Sequence, residues 1–110
     1  MQQSSLTTAR RQFERKTAKT NIFVHHRGRF QRAVVVDYSA GGLQLDGTFG
    51  LTKRDPIQVE FISGVRVTGQ VAWSLGARTG IVFSQPLPIN HAAMSDLSRK
   101  ANRPLVLSTR

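Results

Sequence analysis

Cysteine is absent from the 110 residues. That excludes a disulfide framework, a thiolate nucleophile and any zinc site built on sulfur, and it fits a reducing compartment. Long apolar runs are missing too. The longest fall well short of the roughly 18 to 20 residues that cross a bilayer, and the first residues have no apolar export signal, so a cytoplasmic protein without a transmembrane segment is expected. The opening "MQQSSLTTARR" is rich in Ser, Thr and Arg, a composition it shares with organellar transit peptides, which is the alternative address. Acidic residues are scarce: 6 Asp and Glu stand against 16 Lys and Arg, a formal net charge of +10. Such a field draws anionic partners and says nothing about fold.

What is present is unevenly placed. Residues 1–32 hold eight Lys or Arg against Glu14 alone, which is +7 of the +10. The other 78 residues set eight cations against five acids, an ordinary solvated surface. Residues 1–20 have only Leu6 and Phe13 as large apolar side chains and read as a flexible basic arm. From Asn21 the chemistry is that of strands: "NIFVHH", "FQRAVVVD", "GLQLD", "IQVEFI", "VRVTGQVAW" and "TGIVFS", separated by Gly- and Ser-bearing breaks. In the fourth run Ile57, Val59 and Phe61 share a face, and in the fifth Val65, Val67 and Val71 do. Six short strands at close spacing with no helical stretch between them predict an all-β domain, an antiparallel barrel or sandwich. Beyond Pro88, the spacing of Ile89, Ala93, Leu97 and Ala101 predicts one C-terminal α-helix that closes the domain before Pro104, leaving a tail over 105–110. Trp73, Phe83 and the other aromatics are expected to fill the interior, the alternative being an exposed Trp or Phe near the mouth that stacks on a base.

Two short motifs carry the chemistry. "RRQFER" puts Arg11 and Arg15 four residues apart, on one side of either a helix or an extended segment, with Arg10 just ahead. Guanidinium groups suit phosphate oxygens and the O6/N7 edge of guanine. "DYSAGG" puts Asp37 and Ser39 on one side of a strand end, with Gly41 and Gly42 permitting a turn and a close ligand approach. A carboxylate complements the N1–H and N2–H donors of guanine. Each motif alone also has a bland reading, the first as a solvated tail and the second as a strand-ending turn.

RxxxR in an N-terminal arm followed by a strand ending in DxSxxG resembles PilZ domains, bacterial receptors for the second messenger cyclic di-GMP, and the likeness covers nearly the whole chain. The resemblance implies a six-stranded antiparallel β-barrel over 21–104 with its C-terminal helix, preceded by the 1–20 arm. It implies that Arg11 and Arg15 hold phosphates and guanine Hoogsteen edges while Asp37, Ser39 and Gly42 form the floor that recognises a guanine. Arg10, ahead of RxxxR, implies a stacked ligand dimer. A lone domain of this kind would signal to a separate downstream protein by rearranging its arm.

Other constellations are weaker. Arg32, Arg66 and Arg78 are auxiliary candidates, each also readable as a solvated surface charge. His25 and His26 are adjacent on a strand, point to opposite faces and are expected to have no carboxylate or thiolate companions, so no metal is expected. His91 reads as a surface residue near the helix start. Ser39 has no base placed to activate it, so no enzyme activity and no cofactor are expected. Two alternative functions remain: a small basic barrel that binds single-stranded nucleic acid through charge and stacking, and a PilZ-like adaptor that binds proteins only.

Overall fold

A computed structural model of the chain describes residues 14–98. Six strands follow in order: β1 (Lys16–His26), β2 (Arg29–Ser39), β3 (Gly42–Asp46), β4 (Pro56–Phe61), β5 (Arg66–Leu75) and β6 (Arg78–Phe83). One helix, α1 (Ala92–Ser98), comes after them. The strands close into a barrel in the order β1-β2-β3-β6-β5-β4, every pairing antiparallel. Closure leaves no unpaired sheet edge, which is how short strands of this composition avoid edge-to-edge association.

Alternation builds the interior. Ile22 and Val24, Ala33 and Val35, Leu43 and Leu45, Ile57, Val59 and Phe61, Val67 and Val71, and Ile81 and Phe83 all point inward as one buried cluster. Each such side chain contributes about 1.5–3 kcal/mol when removed from water. Between β1 and β2, Arg27 and Gly28 both adopt positive φ (52° and 79°), the requirement of a two-residue turn matched to strand twist.

The sheet begins earlier than the apolar alternation does. Lys16 to Thr20 belong to β1, with Lys16 opposite Tyr38 and Thr17 opposite Asp37, so they are strand and not part of a flexible arm. Backbone pairing with β2 supplies what the polar side chains of that stretch do not advertise. The helix begins later than its period suggests: Ile89 lies ahead of it and is exposed, while Ala93 and Leu97 face the core. Its first turn is capped by His91, whose Nδ1 accepts the Ala93 N–H at 3.0 Å, and Asp96 accepts from the Ser63 hydroxyl at 2.5 Å. His91 therefore has a structural partner that its sequence neighbourhood did not reveal. Ala101 and residues 105–110 lie outside the described residues, as do Arg10 and Arg11.

The histidines also have partners, distant in sequence. His25 Nε2 donates to Glu60 Oε1 (2.6 Å) and His26 Nε2 to Asp55 Oδ2 (2.8 Å), correcting the expectation that no carboxylate accompanies them. Asp55 also accepts from the Thr52 N–H (3.0 Å) and from Arg27 Nη2 (3.3 Å). The Thr52 amide first, then the His26 bond, hold its carboxyl below the ordinary 3.8 against the opposing pull of burial.

Candidate functional site

Three strands leave regular register, and all three do so beside one row of residues. Across the outside of the barrel Thr17 faces Asp37, Asp37 faces Gln44, Gln44 faces Gly80, and Gly80 faces Trp73, so the row crosses β1, β2, β3, β6 and β5. Register shifts fall between Thr17 and Thr20, between Val35 and Asp37, and between Val71 and Trp73. A bulge turns the following side chain to the other face of the sheet. Strict alternation from Val35 and Val71 would send Asp37 and Trp73 inward; the bulges deliver both to the exterior.

Trp73 is thus no core residue. It is 39% exposed, whereas Phe83 and Phe61 are buried. Its indole lies over Gly80, where an added Cβ would come within 2.2 Å of Nε1. Phe23, Phe30 and Phe49 are exposed as well, so the aromatic complement divides between interior and surface.

Along this row opens a cleft of about 800 Å³. Arg15, Ser39 and Gly42 stand at its polar side, and Ala72, Trp73, Val82 and Pro86 form its apolar side. Arg15 reaches from just before β1 and donates to Asp37 Oδ1 from both Nε (3.0 Å) and Nη2 (2.5 Å). The two side chains are about half and a quarter exposed, respectively. Ser39 Oγ accepts the Gly41 N–H at 3.2 Å and so fixes the bend between β2 and β3. That bend needs no positive φ at Gly41 or Gly42. Gly42 is required for another reason: a Cβ there would lie 2.1 Å from the Ile81 carbonyl oxygen, which is backbone and cannot swing aside. The close approach is of β6 to β3.

The family model for the PilZ domain matches residues 9–100. The chain belongs to the PilZ domain family. PilZ domains are in general receptors for cyclic di-GMP and act as receptor or adaptor domains, not as enzymes. A search of curated proteins gave no match. In this PilZ domain the segment that bears Arg15 and the strand that bears Asp37 and Ser39 meet at one cleft. The auxiliary arginines do not line it: Arg66 pairs with Glu60 (3.6 Å) and Arg78 with Asp46 (3.7 Å), and Arg32 is exposed on the outer face opposite Phe23. Gln44, Gly80 and Trp73 do line it; the first two were not anticipated as site residues, and Trp73 was expected in the core with base stacking as the alternative. Among the described residues no helix is long and apolar enough to cross a membrane.

Proposed function

We propose that this PilZ domain is a cyclic di-GMP receptor whose binding surface is the β3–β6–β5 cleft. The reading is supported above all by the Arg15–Asp37 pair, which joins two motifs 22 residues apart at the mouth of a cleft within the roughly 300–1,000 Å³ typical of small-molecule sites. Asp37 keeps Oδ2 for the N1–H and N2–H donors of a guanine, while Ser39 and the backbone at Gly42 form the floor beneath it. Arg15 leaves Asp37 Oδ1 for a phosphate or a guanine O6/N7 edge when the base arrives, and Arg10 and Arg11 supply further guanidinium groups. Trp73 offers an apolar face on which a base stacks. The exchange of the Arg15 contact alters the start of β1, and that alteration is what a downstream protein reads.

Calorimetric titration with cyclic di-GMP, with cyclic di-AMP as control, tests the reading. Binding selective for guanine is expected, and two ligands per chain would place a stacked pair against Arg10. No heat at millimolar cyclic di-GMP and moderate ionic strength would overturn it. Affinity that collapses steeply with salt and ignores base identity would favour single-stranded nucleic acid instead.

A further inference from the structure

Gln44 occupies the centre of the site row, directly between Asp37 on one side and Gly80 on the other. Residues directly opposite in an antiparallel pair have Cβ atoms about 4.5–5.5 Å apart, so the Gln44 amide and the Asp37 carboxylate reach a common planar group. On the far side the Trp73 indole fills the space over Gly80, so Gln44 lies between the Asp37 carboxylate and an aromatic ring on the cleft wall. Gln44 is half-buried on β3. Of the polar side chains lining the cleft, Arg15 is bonded to Asp37 and Ser39 to Gly41, whereas no hydrogen bond engages the Gln44 amide among the described residues. A half-buried amide with both ends open, beside the apolar Ala72, Val82 and Pro86, is placed to bond a polar edge of whatever enters the cleft.

Guanine presents O6, N1–H and N2–H₂ side by side on one edge. A carboxylate satisfies the two donors but supplies nothing to O6, and its charge repels that oxygen. An amide nitrogen next to the carboxylate completes the set: acceptor, acceptor, donor. Resting on the cyclic di-GMP reading above, we infer that Gln44 is a specificity-determining residue of the site, donating from Nε2 to guanine O6 while Asp37 accepts from N1–H and N2–H. O6 has two lone pairs, so this bond is compatible with an arginine on the Hoogsteen side.

The test is a cycle that varies protein and ligand together: wild type, Gln44→Leu and Gln44→Glu, each titrated with cyclic di-GMP and with its 6-thio analogue, in which sulfur replaces O6 as a poor acceptor. Gln44→Leu is expected to weaken cyclic di-GMP binding about threefold to tenfold, the scale of one neutral hydrogen bond, and Gln44→Glu at least about tenfold because a carboxylate faces O6. The decisive outcome is coupling: the penalty for the oxygen-to-sulfur change shrinks by about the same threefold to tenfold in Gln44→Leu. Penalties that multiply without coupling would overturn the assignment and leave the receptor reading intact. Equal affinity of all three proteins for cyclic di-GMP would do the same. A wild type that takes neither ligand would remove both. Thermal melts of the variants confirm folding, since an outward strand position tolerates either replacement.

Discussion

The barrel has two opposed outer walls that share one interior and differ in nearly everything else. On β2, β1 and β4 the pairing between β1 and β4 runs without a shift from Ile22–Phe61 to His25–Gln58, and the surface is crowded. Phe23 and Phe30 rest against each other with ring centroids 5.6 Å apart, His25 meets the Phe30 edge at 5.7 Å and is tied to Glu60. On β3, β6 and β5 a cleft opens instead, where the indole of Trp73 lies over Gly80 and bulges in β2 and β5 turn Asp37 and Trp73 outward. The regular β1–β4 register with large side chains gives a wall whose groups engage one another. Broken register gives a concave wall with open polar groups.

That contrast can be broken in graded steps. The largest effect is expected from Arg15→Ala, which removes a charged donor from the hollow wall: cyclic di-GMP affinity should fall about a hundredfold, with the melting temperature of the free protein almost unchanged because the pair is solvent-exposed. A large drop in melting temperature would mean that the pair holds the barrel and not the ligand. Next is Gly42→Ala, where a methyl group meets the Ile81 carbonyl; denaturant unfolding should record a loss of about 1–3 kcal/mol. Unchanged stability would show that β3 and β6 separate freely there. Asp55→Asn, at the hairpin end of the crowded wall, should lower the melting temperature more at pH 7 than in acid. The folded pKa of Asp55 lies below 3.8, so the carboxylate stabilises above that value and the benefit disappears as pH falls through it toward the folded pKa. A gap that stays the same size as the pH is lowered through the carboxylate range would assign the effect to something other than charge. Smallest is Phe30→Ala, 61% exposed, expected to shift unfolding by no more than about 0.5 kcal/mol and to leave ligand affinity alone.

The interior was legible because every strand obeys the two-residue period where it faces the core, as Ile57, Val59 and Phe61 do. The placement of Asp37 and Ser39 together at a strand end was legible too, since residues two apart on a strand share a side. Trp73 was not. Val71, Ala72 and Trp73 read as in, out, in, and a single inserted residue reverses the last of these without marking the sequence. Nor do Gln44 and Gly80 mean anything until β3 and β6 are side by side, 36 residues apart along the chain. The carboxylates that engage His25 and His26 lie 35 and 29 residues away for the same reason. What alternation encodes is which way a side chain points on a regular strand; what it omits is the neighbour across the sheet and the places where regularity stops.

The bulge that turns Trp73 outward has a practical corollary. The chain has one tryptophan, so its tryptophan emission originates entirely from the hollow wall. Any molecule that settles there must quench or blue-shift that glow, and the protein arrives already fitted with its own label-free gauge of occupancy.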